Sequence, residues 1–257
     1  MPSGVTVYLC VWLAVLGAVW GSFVDCAVSR WAAGERQIFV GRSRCDACGR
    51  TLTAGDLVPV FSFLLARGRC RECGEKIPAD CLAAELAGTA AFVCVGVRFG
   101  LSLALGQWLC FAAVLLALSL ADAAKRVIPN RLLLVLTVGR VLWFFILRED
   151  FAAVLEILKA CIIPVALLAL VLLAEKLTDR EVMGGGDIKL LLALALYLNW
   201  AQLLLALLAG CVAGLAFAAL AGKRRGTAVP FGPFLAAGAL AAVCFGDAAL
   251  RWYFGLF

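Results

Sequence analysis

The chain has 257 residues, 65% of them hydrophobic, a net charge of +6 and no histidine. An apolar share so far above the roughly 45–50% of soluble proteins excludes a soluble globular domain and makes most of the length transmembrane helix. The missing histidine excludes Ser-His-Asp and Cys-His catalysis and the HExxH zinc site, so chemistry near neutral pH falls to Asp, Glu, Cys, Lys or Tyr.

Basic residues crowd into a few short loops. That distribution fits a membrane protein oriented by the positive-inside rule, and no nucleic-acid partner is needed to explain it. The first apolar run, residues 5–28, has no basic residue before it and Arg30 after it. It reads as an uncleaved span with its N-terminus outside. Near its inner end Gly21-Ser22-Phe23 precedes Asp25. Asp25 reads as a paired or hydrated boundary residue, with a third acid of the site as the alternative.

Residues 30–81 change character. They carry eight of the chain's 17 arginines, belong in the cytoplasm, and are too few to bury a substantial core. Their staple is Cys45-x-x-Cys48 and Cys70-x-x-Cys73, separated by 21 residues. Two such knuckles supply four thiolates, the tetrahedral set that structural zinc prefers, and a reducing compartment disfavours the disulfide alternative. Gly49 and Gly74 ease the turns beneath the metal, and Arg44, Arg50, Arg69 and Arg71 are expected to hold the thiolates ionised. Cys10, Cys94, Cys110, Cys161, Cys211 and Cys244 lie in apolar runs and read as small hydrophobes.

Further spans are predicted over residues 83–97, 101–121, 132–147 and 157–174. Residues 190–222 carry no charge, too long for one span and short for two. A break at Asn199-Trp200, a polar side chain beside an interfacial aromatic, makes a hairpin and returns Lys223-Arg224-Arg225 to the cytoplasm. Pro230-Phe231-Gly232-Pro233 opens the last span. The fold expected is an all-α polytopic membrane protein of about eight transmembrane helices with both termini outside. Its parts are a first helix (1–29), a cytoplasmic four-cysteine zinc insert (30–82) and a seven-helix membrane core (83–257).

This topology brings two acids to the same cytoplasmic face. Asp122 ends one apolar run, and Gly184-Gly185-Gly186 delivers Asp187 to the start of another, followed by Ile188-Lys189. Glycines open backbone conformations closed to other residues and let a second chain approach closely. The run is neither a Walker phosphate loop nor a complete GxGxxG. Paired aspartates can hydrolyse an amide without histidine, one accepting a proton from water while the other, protonated, polarises the carbonyl. Their titrations are coupled, so neither is assigned as acid or base. Two other readings stand beside this one. A transporter could use Asp25, Asp122 and Asp187 as a proton or cation relay, and a non-catalytic scaffold could use the cysteine insert to dock a partner protein.

Gly184-Gly185-Gly186-Asp187 contains the GxGD motif of intramembrane aspartyl proteases, and with Ile188-Lys189-Leu190 it resembles the type IV prepilin peptidases. Gly21-Ser22-Phe23, the paired CxxC with Arg67-Gly68-Arg69-Cys70-Arg71, Asp122 with Ile128-Pro129-Asn130, and Pro230-Phe231-Gly232-Pro233-Phe234 resemble that family's other signatures in order. The resemblance implies that Asp122 and Asp187 form the catalytic dyad and that Gly184, Gly185, Gly186 and Lys189 shape the backbone beside it. It further implies cleavage of basic leaders from type IV prepilins or pseudopilins at the cytoplasmic face of the bacterial inner membrane. Members with the cysteine insert commonly also methylate the new N-terminus with S-adenosylmethionine, whose binding residues the sequence does not mark. Asp25 stands where the family usually has asparagine, and residues 77–81 lack its usual tyrosine-proline before the acid matched by Glu85.

Overall fold

The computed structural model describes residues 3–35, 37–45, 47–179, 183–220 and 230–255. The basic cluster Lys223-Arg224-Arg225 lies outside these residues. Among them the chain is helical, with two isolated bridges, Arg44 to Thr51 and Arg69 to Lys76, as its only extended pairing. In order the helices are α1 (Ser3–Ala33), α2 (Phe61–Leu65), α3 (Ala79–Phe99), α4 (Leu103–Lys125), α5 (Asn130–Leu147), α6 (Phe151–Thr178), α7 (Gly185–Ala195), α8 (Trp200–Leu220) and α9 (Gly232–Phe254), with a 3₁₀ turn at Ala54–Asp56. Seven are long and apolar enough to cross a membrane: α1, α3, α4, α5, α6, α8 and α9. The eighth expected membrane helix, α7, is present but short. Its 11 residues reach only about 16 Å at 1.5 Å per residue. The predicted break at Asn199-Trp200 is where α8 begins, and the Asn199 side chain accepts the Gln202 N–H at 2.9 Å to cap it.

The chain divides into two compact units, residues 1–105 and 106–257. In the first, α1 and α3 pack through small residues. A Cβ on Gly17 would overlap the Gly88 carbonyl, and one on Gly21 the Ala84 carbonyl. Backbones this close gain dispersion contact that lipid chains cannot match, which is how helices associate where no hydrophobic drive exists between them. The cysteine module fills the connection between these two helices. The second unit uses the same device between α8 and α9, where Gly238 lies under the Ala206 carbonyl and Gly210 under Leu235.

Alongside α5 runs α7, held at its far end by a buried cation. Arg140 donates from Nε to the Leu196 carbonyl (2.7 Å) and from both Nη atoms to Glu149 (2.8 and 2.5 Å). Its guanidinium also lies 5.8 Å from the Tyr197 ring centre, and the Tyr197 hydroxyl donates to the Leu136 carbonyl at 2.8 Å. A buried arginine survives in an apolar setting only with its donors used in this way.

Candidate active site

The second unit gathers three of the motifs read from the sequence around one acid pair. Asp122 lies in the last turn of α4 and is only 5% exposed. Its backbone carbonyl accepts the Arg126 N–H at 2.7 Å, and Arg126 adopts a left-handed conformation (φ 54°) that ends the helix. The Gly232 N–H at the start of α9 donates to Asp122 Oδ2 at 2.9 Å. A Cβ on Gly232 would sit 2.8 Å from that same oxygen. Asp187 lies in the first turn of α7, half-buried, and the Asp122 carboxyl is near enough for the two charges to act on each other.

Of the two roles the sequence suggests for the glycines, the structure shows close approach and not a left-handed backbone. None of Gly184, Gly185 and Gly186 has a positive φ among the described residues. Gly184 is the extended N-cap of α7, where an added Cβ would lie 3.5 Å from the Asp187 carboxylate, while Gly185 faces open space. Gly186 matters for approach, since a Cβ there would lie 3.3 Å from Cβ of Ile128. The loop after α4 therefore rests on the glycine turn. Next to it Lys189 Nζ donates to Asn130 Oδ1 at 3.4 Å, tying α7 to the start of α5. Sequence reasoning quoted Gly232 only as part of a signature. Its contact with an acid 110 residues away leaves no periodic trace that could have shown it.

In the first unit the four cysteines converge. The Sγ atoms of Cys45, Cys48, Cys70 and Cys73 all lie within 4.8 Å of one another, and Cys45 and Cys73 are 3.8 Å apart. A tetrahedron with metal–sulfur bonds of about 2.3 Å has edges of about 3.8 Å, so the set fits a metal ion such as zinc. The two knuckles repeat one construction. Gly49 N–H returns to the Cys45 carbonyl (2.9 Å) and Gly74 N–H to that of Cys70 (3.0 Å), with both glycines left-handed at φ 70° and 72°. Backbone N–H groups of Cys73 and Glu72 draw the Cys70 thiol down to about 6.

Of the four arginines expected to ionise the thiols, Arg50, Arg69 and Arg71 have other partners. Arg50 pairs with Asp56 (2.5 Å) and Glu72 (3.4 Å), Arg71 with Asp56 (3.5 Å), and Arg69 donates to the Gly74 carbonyl. Asp56 thus bridges both knuckles. The Thr53 N–H and hydroxyl, at 3.1 and 2.8 Å, hold its carboxyl below the usual range, with Arg50 and Arg71 adding to the effect. Glu85 in α3 is buried and accepts the Val60 N–H of the module at 2.6 Å. Asp25 sits on α1 with the Cys81 side chain as hydrogen-bond partner. A cavity of about 1000 Å³ opens between the module and the ends of α1 and α3, with Asp25, Arg30, Glu35 and Glu85 on its walls.

Seven apolar helices among the described residues and a four-cysteine module define a multi-pass membrane protein, with a buried acid at one end of α4. Family models agree in both units. The Bacterial Peptidase A24 N-terminal domain matches residues 15–99, and the Type IV leader peptidase family matches residues 109–219. The chain is 32% identical over 247 residues to a prepilin leader peptidase/N-methyltransferase of Bacillus subtilis (strain 168), covering 94% of this chain and 96% of the relative. Proteins of the same description from Dichelobacter nodosus and Aeromonas hydrophila are 36% identical over 203 residues and 34% over 221. Those matches take in 77% and 84% of this chain, and 69% and 76% of the relatives. No solved structure matches. The chain belongs to the type IV leader peptidase family, and with its seven apolar helices it is a multi-pass inner-membrane protein.

Proposed function

We propose that the chain is a membrane aspartyl endopeptidase that removes the basic leader from type IV prepilins or pseudopilins, with Asp122 and Asp187 as its catalytic pair. The observation that carries this reading is the acid pair itself, two carboxyls in mutual charge range with one of them fixed by the Gly232 N–H. Like charges that act on each other lose their protons in separate steps, so one group serves as acid while the other serves as base. The ionised carboxylate takes a proton from water as the water oxygen attacks the scissile carbonyl carbon. The protonated partner donates to the carbonyl oxygen, and collapse of the tetrahedral adduct breaks the C–N bond as the leaving amine takes a proton. With Oδ2 of Asp122 held by Gly232, Oδ1 is the oxygen that meets water. The basic residues Lys125, Arg126 and Arg131 flank the site and support a cytoplasmic position for it, with the first helix entering from outside.

The cysteine cluster takes Zn²⁺ on Cys45, Cys48, Cys70 and Cys73 as a structural staple for a module too small to hold a core. About one equivalent of zinc is expected on metal analysis, lost when Cys45 and Cys70 are replaced. A second activity, N-methylation of the new N-terminus, is assigned to the first unit, whose cavity carries the carboxyls of Asp25 and Glu35, groups that could hold a cationic methyl donor such as S-adenosylmethionine. That group, when bound, supplies an electrophilic methyl.

The test is cleavage of a co-expressed prepilin by wild type, Asp122→Asn and Asp187→Asn. Asparagine keeps the size and removes the titrating carboxyl. Loss of cleavage in both variants at normal membrane levels is expected, and retained cleavage by either sinks the dyad.

A further inference from the structure

The cysteine module exposes more apolar surface than a water-facing domain of its size should. On α2, Phe61, Leu64 and Leu65 are 66%, 61% and 76% exposed, and their i, i+3, i+4 spacing puts them on one face. Contiguous apolar surface on so small a module marks an interaction site.

The packing of α1 on α3 supplies a depth scale. Glycine contacts set Gly17 level with Gly88 and Gly21 level with Ala84. The 21 residues of α3 run about 31 Å, close to the roughly 30 Å of a bilayer's hydrocarbon core. Glu85 lies six residues inside the end of α3 nearest the module, about 9 Å along the helix. It is Glu85 that accepts the Val60 N–H, and Val60 is the N-cap of α2. Val60 holds a left-handed φ of 62°, unfavourable for a β-branched residue, and the bond to the buried carboxylate supports it there. Elsewhere in the module Phe39, itself exposed, stacks on Phe23 of α1 with ring centres 6.2 Å apart. Two separate contacts therefore hold the module against the flanks of the membrane helices rather than beyond their ends.

We propose that this module is seated in the headgroup layer of the leaflet on its side of the membrane. The α2 side chains Phe61, Leu64 and Leu65 enter the acyl boundary, while Arg67 and Arg69 just after them meet lipid phosphates. Apolar side chains at the boundary with arginines at headgroup level are the arrangement by which interfacial helices bind membranes. The proposal is independent of the acid pair and of the cleavage reaction, and its test reads neither.

Full-length protein carrying p-benzoylphenylalanine at position 61 or 65 is reconstituted into vesicles of phosphatidylethanolamine and phosphatidylglycerol, irradiated, and analysed by mass spectrometry. Both positions are exposed, so the replacements leave the packing in place. Leu170 on α6, 63% exposed within a span, gives the lipid-contact standard, and Glu72 on the second knuckle, its side chain 66% exposed, the water-facing one. Lipid adducts at 61 and 65 are expected within about threefold of Leu170 and roughly tenfold above Glu72. Yields at both positions no higher than at Glu72, with Leu170 labelling normally, overturn the proposal. So do adducts to protein instead of lipid, which would assign the face to a second copy or to a co-reconstituted substrate.

Discussion

Gly232 offers the sharpest test of how the acid pair is held. Replacing it with alanine puts a Cβ 2.8 Å from Asp122 Oδ2 and 3.1 Å from both Cβ and Cγ of that aspartate. Real contacts of this kind lie beyond about 3.4 Å, so either the carboxyl rotates away or α9 retreats, and both end the 2.9 Å bond from Gly232 N–H. A hydrogen bond to a charged group is worth about 1.5–3 kcal/mol. If the bond stabilises the reacting arrangement, that range becomes a loss of about ten- to 150-fold in kcat/KM. The assay is prepilin cleavage in membranes at matched enzyme levels, comparing initial rates for wild type and G232A. Folding is followed by the thermal transition in detergent, because a glycine-to-alanine change at a helix start should leave that transition within a few degrees. Cleavage by G232A within about twofold of wild type, with the fold intact, would refute the claim that Gly232 positions Asp122.

A related contrast lies in the glycine turn. G186A must push against Ile128 and is expected to lower cleavage at least about fivefold, whereas G185A, facing open space, should cost far less; equal losses would contradict the close-approach reading. In the cysteine module, D56A removes the carboxylate shared by Arg50 and Arg71 and should speed metal loss to a chelator severalfold. Because the Asp56 carboxyl is held below its ordinary value, its stabilising contribution is present above the usual carboxylate pKa and is lost as pH falls through the lowered one. The wild-type rate of metal loss should therefore approach that of D56A only in acid. R140A leaves the Glu149 carboxylate and the Leu196 carbonyl without their partner and should destabilise the second unit by about 3 kcal/mol, read as a lower midpoint in detergent unfolding.

What the sequence made legible were features with local grammar. The CxxC spacing marks the four cysteines without any knowledge of the fold, and the Asn199-Trp200 break is visible because a span has a fixed length. The two acids stand out because each lies at or near the edge of a long uncharged run. What could not be read were pairings set by tertiary contact. Gly232 and Asp122 meet across 110 residues, and Glu85 and Val60 meet across the second knuckle and the start of α3. Arg140 sits in an apolar run like a misplaced charge until α7 and the turn after α5 close around it. The triple glycine was ambiguous in a different way, because a sequence cannot distinguish glycine chosen for its dihedral freedom from glycine chosen for its lack of a Cβ.

The shortness of α5, beside α7, has a consequence for the lipid around it. It is only about 27 Å long at 18 residues, and α7 reaches about 16 Å. Leu190, Leu191, Leu194 and Ala195 bury most of α7 in protein, so lipid meets α5, and a bilayer with a hydrocarbon core near about 30 Å dips slightly towards that helix, at a cost of fractions of a kcal/mol per ångström. Where the acyl layer is pinched, water and a charged peptide segment have less oil to cross. The face beside α5 is then the shallow side of the protein, and a helix sliding in from the bilayer would find its polar end closest to the aspartates there. Lipid chain length becomes a variable of the reaction, with thin bilayers easing entry and thick ones slowing it.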